Sequence, residues 1–164
     1  MEIREAHPGE YGDVGDVVAA AYAPFGSPYD QGWNEHLDLV RHVADRARRT
    51  VVLAAVEDRR VLGSATIELF DVIGDDDHEL PPGWAVLRMV GVDPEAQGRG
   101  IGRALVEDVI RRVRAAGKRT LGLRTMPQLE KAQRLYRSLG FLRDPSLDMT
   151  LEDGDTLLGY RLDL

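Results

Sequence analysis

Gly98, Gly100 and Gly102 stand at alternate positions in the segment Val90 to Gly102, VGVDPEAQGRGIG, where a strand-like run leads into the start of a helical pattern. Glycine has no side chain to block close approach, and the first turn of a helix carries unpaired N–H groups and the positive end of the dipole. Such a turn aims backbone amides at an anion, and the chemistry it suits is the holding of a pyrophosphate. A tight turn built of glycine for steric reasons alone is the plain alternative.

Spacing narrows the ligand. A loop for nucleoside triphosphates needs GxxxxGK followed by Ser or Thr, and a dinucleotide fingerprint needs GxGxxG; the chain has GxGxG, with neither the lysine nor the hydroxyl. A nucleotide-binding enzyme is therefore the weakest reading. The segment instead resembles the acyl-CoA signature of the GCN5-related N-acetyltransferase (GNAT) superfamily: Gln or Arg, two residues, Gly, one residue, then Gly or Ala. Gln97 to Gly102 fill every defined position, and Val92-Asp93-Pro94 matches the family's usual ending for the strand before the loop. The resemblance implies acetyl-CoA as acyl-donor cosubstrate and no metal. It places Gln97, Gly98, Arg99, Gly100, Ile101, Gly102 and Arg103 around the pyrophosphate and Val90, Gly91 and Val92 along the pantetheine arm. It also implies that this strand parts from the next at a bulge, to which Gly91 is suited, and that the Val92 N–H polarises the thioester carbonyl.

The second segment is AQRLYRSLGF, Ala132 to Phe141. On a helix Leu129, Ala132, Leu135, Tyr136 and Leu139 share a face, which makes Tyr136 a core aromatic on the simplest reading. The segment is also similar to the family's LYxxLGF-like stretch. That resemblance implies a phenol beside the thioester sulfur, protonated at neutral pH and able to protonate the departing thiolate. One position departs from the family: many relatives carry Asn seven residues before this tyrosine, where Leu129 stands here. A free amine is largely protonated near pH 7, so a base must also act. Glu68, near the end of a strand beside the cofactor strand, is the first candidate and Glu130 the second; both also read as ordinary surface charges.

These residues need a scaffold. Ile3 to Ala6 reads as a strand, followed by a helix carrying Val14, Val17, Val18, Ala21 and Tyr22 and a second helix from about Asn34 to Arg48. Between them, Ala23 to Trp33 mixes aromatics with turn residues, and Tyr22, Phe25, Tyr29, Trp33 and His36 are candidates for the acceptor wall. Val51 to Val56 and Val61 to Phe70 form a predicted hairpin, and an acidic loop from Asp71 to Gly83 follows. Trp84 to Val92 delivers the glycine loop. The next helix buries Leu105, Val106, Val109, Ile110 and Val113, with Glu107/Arg111 and Asp108/Arg112 paired outside, and ends at Gly117. Arg119 to Thr125 is a strand, and Thr125 with Gln128 a candidate capping box for a helix that runs to Leu139 and is capped by Gly140. Leu147 to Glu152 and Thr156 to Leu162 close the chain as a hairpin around Asp153-Gly154. The order predicts an α/β, GNAT-like fold over residues 1–164 as a single domain, with a mixed central β-sheet flanked by helices on both faces.

Composition sets the limits. With 164 residues, 43% of them hydrophobic, the chain suffices for one well-filled core. A net charge of -7 argues against a nucleic-acid partner. The absence of cysteine excludes disulfides, thiolate metal sites and a cysteine nucleophile; His7, His36, His42 and His78 lack metal-ligand spacing. No apolar run approaches a membrane span, and a cytoplasmic location is expected. The reading is an N-acetyltransferase passing an acetyl or acyl group from acetyl-CoA directly to a primary amine on a small molecule or peptide, in a monomer or homodimer. A non-catalytic acyl-CoA-binding module is the alternative.

Overall fold

The computed structural model describes residues 1–69 and 81–164, so most of the acidic loop singled out above, with Asp75, Asp76, Asp77, His78 and Glu79, lies outside the described residues. The chain opens with β1 (Glu2–Glu5) and α1 (Tyr11–Tyr22), followed by α2 (Gln31–Arg41) and α3 (Val43–Arg46). The second helix starts earlier than the apolar periodicity predicts because Asp30 caps it, its carboxylate accepting the Trp33 N–H at 3.1 Å. It is also broken at His42, whose ψ of 58° leaves the helical range. Nearby, α1 and α2 press backbone to backbone: a Cβ on Gly15 would lie 2.9 Å from the Arg41 Cα.

The strands β2 (Val51–Glu57) and β3 (Arg60–Glu68) form the expected hairpin, turning through Asp58 and Arg59 at positive φ. Then come β4 (Trp84–Val92), α4 (Ile101–Ala115), β5 (Thr120–Thr125) and α5 (Glu130–Ser138). The short β6 (Leu142–Arg143) and β7 (Met149–Thr150) precede β8 (Thr156–Asp163). The sheet runs β1-β2-β3-β4-β5-β8-β6, with β7 beside β8. Neighbours are antiparallel except β4 and β5, which are parallel because α4 carries the chain back across the sheet. The sheet is mixed, as predicted. On one face α4 and α5 pack Leu105, Val109 and Tyr136 onto Leu53, Ile67, Leu87 and Leu121. On the other, α1 and α3 bring Val14 and Val43 to Val52, Ala54 and Val61, while Val18 and Val40 of α1 and α2 pack in a second cluster with Met89 of β4.

Three local expectations change. Arg112 meets Asp108 at 2.7 Å as expected, but Glu107 pairs with Arg103 at 3.5 Å, and Arg111 joins Asp108 instead. Thr125 is no helix cap, because it is the last residue of β5 and pairs with Leu158. The cap of α5 is Leu129, and the Gln133 amide satisfies the preceding loop by donating to the Pro127 carbonyl at 2.9 Å. The closing hairpin forms around Gly154, and β6 adds a strand that two residues are too few to announce.

Candidate active site

Where β4 passes β3 the pairing slips. Ser64 faces Gly91 and Thr66 faces Arg88, so Met89 and Val90 together oppose Ala65. This is a bulge, and Met89 takes a φ of 51° within it. The expected place for the irregularity was Gly91, which serves a different purpose. A Cβ there would lie 2.8 Å from the Val18 Cα, so the missing side chain lets α1 lie against the strand.

On its other side β4 pairs with β5 only from Trp84 to Leu87. Beyond Leu87 the two strands part and leave a slot through the sheet. The Asp93 N–H donates to the Leu62 carbonyl at 2.9 Å, so the alternation of an antiparallel ladder turns the polar backbone of Val92 toward the slot. Gln97 closes over the strand end, its amide 3.4 Å from the Val92 carbonyl.

At the mouth of the slot Gly98 and Gly100 adopt φ of 82° and 80°, and Gly100 is the N-cap of α4. A Cβ at either position would meet nothing within 4 Å, so both backbones border open space. Ile101 is buried and anchors the first turn of α4. The Gly100 carbonyl accepts the Ala104 N–H at 3.0 Å, and the amides of Ile101, Gly102 and Arg103 precede this first helical bond. A Cβ on Gly102 would make ordinary contact with Val92 and Leu135. The arginines brace the loop: Arg99 meets Glu57 at 2.7 Å and Arg103 donates to the Ser138 hydroxyl at 2.7 Å. Arg60 adds bonds to Asp93 and Glu95. The Arg99 hydrogen bond lowers the pKa of Glu57, so this brace is charged at neutral pH.

Tyr136 is 6% exposed, its ring 5.7 Å from that of Phe141 and 6.5 Å from that of Tyr160. The two buried tyrosines differ in their hydroxyls. Tyr160 donates to Gln133 at 2.9 Å and accepts from Arg137 at 2.9 Å, whereas the Tyr136 hydroxyl bonds to no described residue. Burial pushes the Tyr136 phenol well above the usual tyrosine range, and the Tyr22 phenol pushes it further. Burial raises Tyr22 likewise. Tyr22 belongs to α1 and Tyr136 to α5, on opposite faces of the sheet, and the Tyr22 phenol adds to the upward shift of Tyr136.

The candidate bases are placed unequally. Glu68 is 8% exposed and accepts from Arg88 at 3.0 Å across the β3–β4 pair, a partner the sequence did not suggest. Glu130 lies on the surface of α5, 3.6 Å from Arg134. Leu129 stands at the start of α5. Of the predicted acceptor wall, Tyr22, Trp33 and His36 do converge. The His36 ring lies parallel to Tyr22 at 6.3 Å and 5.5 Å from Trp33, with Met89 in the same cluster. Tyr29 is 97% exposed and Phe25 lies at the surface. Among the described residues no three of His, Asp and Glu gather as a metal site, and no helix is long and apolar enough to cross a membrane.

Residues 16–141 match the model of the acetyltransferase (GNAT) family. The chain belongs to this family. Its members are acyl-CoA-dependent N-acetyltransferases, and the slot and glycine loop lie within the matched region. A mycothiol acetyltransferase from Cellulomonas flavigena is 38% identical over 93 residues, which are 56% of this chain but only 26% of that protein. The fold matches a candidate GNAT acetyltransferase from Desulfovibrio desulfuricans with a TM-score of 0.77 at 24% identity, covering 99% of this chain and 98% of the other. It also matches a GNAT acetyltransferase from Brucella melitensis, solved with acetyl-CoA, with a TM-score of 0.62 at 28% identity over 86% of this chain and 82% of that one.

Proposed function

We propose that this chain, acting as one domain over residues 1–164, transfers an acetyl group from acetyl-CoA to a primary amine by direct attack on the thioester. The observation that carries the reading is the stretch of β4 beyond Leu87 that β5 leaves unpaired and that runs into the free amides at the start of α4; Tyr136, whose hydroxyl bonds to no described residue, is read as the phenol that serves it. In this reading the amides around Gly98, Gly100 and Gly102 hold the pyrophosphate, and the pantetheine completes the hydrogen bonds that β5 leaves unmade along Val90 to Val92. The Val92 N–H steadies the developing oxyanion, and Tyr136 gives its proton to the sulfur as the C–S bond breaks.

Calorimetry with acetyl-CoA, ATP and NAD tests the first half, since only acetyl-CoA should bind. Thiol release over an amine panel tests the second. The panel comprises an amino sugar, an aminoacyl amide, a diamine, a peptide with a free N-terminus and the acceptor of the mycothiol acetyltransferases. Binding without release from any amine would leave an acyl-CoA-binding module.

A further inference from the structure

We propose that His36 takes the proton from the acceptor amine, directly or through one water. The inference rests on the acyl-transfer reading above and assigns the one role it leaves open. Glu68 is engaged by Arg88, and Glu130 lies out on α5 beside Arg134. His36 differs from both. Its ring nitrogens form no hydrogen bond or ion pair with a described residue, and the residue is exposed on α2. The imidazole lies parallel to Tyr22 at 6.3 Å, and Tyr22 and Trp33 pack in one cluster with Met89 of the β4 bulge, so His36 stands beside the strand that lines the slot.

The electrostatics suit a base. The rings packed on His36 are Tyr22 of α1 and Trp33, one turn earlier on α2. Its charged neighbours in sequence are otherwise occupied, Glu35 by Gln31 at 2.8 Å and Asp38 by Arg41 at 3.2 Å. The charge of the buried Arg46 acts on the Tyr22 phenol. The rings packed on one side of His36 desolvate it and lower its pKa from the ordinary value, which favours the neutral imidazole that can accept a proton.

The protons balance. His36 takes one proton from the ammonium and later returns it to water. The neutral nitrogen forms the C–N bond, the C–S bond breaks, and the sulfur takes the phenolic proton of Tyr136. The second amine proton then restores that phenol.

His36→Phe keeps a ring against Tyr22 and Trp33 but cannot accept a proton, and His36→Gln removes the base without the ring. The assay is kcat/KM against pH with saturating acetyl-CoA and the fastest amine of the panel. The native protein should hold a plateau from slightly acidic pH upward. Both variants should fall about 10²-fold at pH 7, the lower end for a positioned base. They should regain about tenfold per pH unit up to the pKa of the amine itself, about 8 for an α-amine and about 10 for an alkyl diamine. Acetyl-CoA affinity and melting temperature should stay unchanged. A plateau in either variant, or a lowered rate with the native pH profile, overturns the role of His36 and leaves acyl transfer standing. No thiol release by the native protein with any amine overturns acyl transfer itself, and this assignment with it.

Discussion

Replacing Tyr136 by Phe removes one oxygen and little else, so its two consequences can be estimated separately. The Tyr136 hydroxyl bonds to no described residue, and the ring contacts with Phe141 and Tyr160 survive the change. A buried hydroxyl without a partner contributes little net stability, so unfolding free energy should move by less than about 1 kcal/mol. Turnover should fall by roughly 10²–10⁴-fold if the phenol protonates the thiolate, equivalent to about 3–5 kcal/mol of transition-state stabilisation. Because burial raises this pKa, the native kcat should hold through pH 10, where an ordinary tyrosine would already be losing its proton. The measurements are thiol release with both substrates saturating, calorimetric acetyl-CoA affinity and a thermal melt. Tyr160→Phe is the matched control. It strands the Gln133 and Arg137 groups that its hydroxyl satisfies, which should cost about 1–3 kcal/mol of stability and spare the chemistry. Native turnover in Tyr136→Phe would refute the acid role and leave the donor site intact.

Gly100→Ala should lose acetyl-CoA binding while costing about 1–2 kcal/mol of stability for a left-handed residue with a Cβ, since that Cβ meets no protein atom within 4 Å and projects where the pyrophosphate would lie; calorimetry and a melt separate the two. Gly91→Ala should act on the fold instead, because its Cβ would press on the Val18 backbone at 2.8 Å; a drop of about 1–3 kcal/mol in denaturant titrations is expected. Arg99→Ala and Arg103→Ala should weaken acetyl-CoA binding modestly, with the difference shrinking in high salt. The Arg4 guanidinium pulls the Glu10 carboxyl from 4.5 down to about 2, so this group's contribution to stability is present above pH 4.5 and is lost as pH falls toward 2. Glu10→Gln should flatten that part of the stability–pH curve.

The elements with strong periodicity were legible. β4 has the bounds its apolar run predicts, and α4 buries the five residues read from its stripe. The glycine loop was legible because two of its residues need positive φ, which glycine signals. What escaped was set by tertiary packing. The bulge falls on Met89, a residue with no preference for left-handed backbone, and the glycine beside it answers to α1. The spacing of Thr125 and Gln128 imitates a cap, but pairing with β8 claims Thr125. The Arg88 partner of Glu68 depends on a register that the slip itself sets. The electrostatic effect of Tyr22 on Tyr136 links residues more than a hundred positions apart in two separate clusters, which pattern reading does not pair.

The parted strands also bear on how long the molecule survives. The half of the sheet formed by β5, β8 and β6 joins the other half through only four residue pairs, Trp84–Leu87 against Thr120–Leu123. A donor lying in the gap would bridge the halves like a missing strand and add about 2.7 kcal/mol of stability at a hundredfold excess over its dissociation constant. Heat resistance, slow amide exchange along Val90 to Val92 and resistance to proteolysis would then all follow the supply of acetyl-CoA. The cell would keep the protein longest when the donor is plentiful, and clear it fastest in starvation.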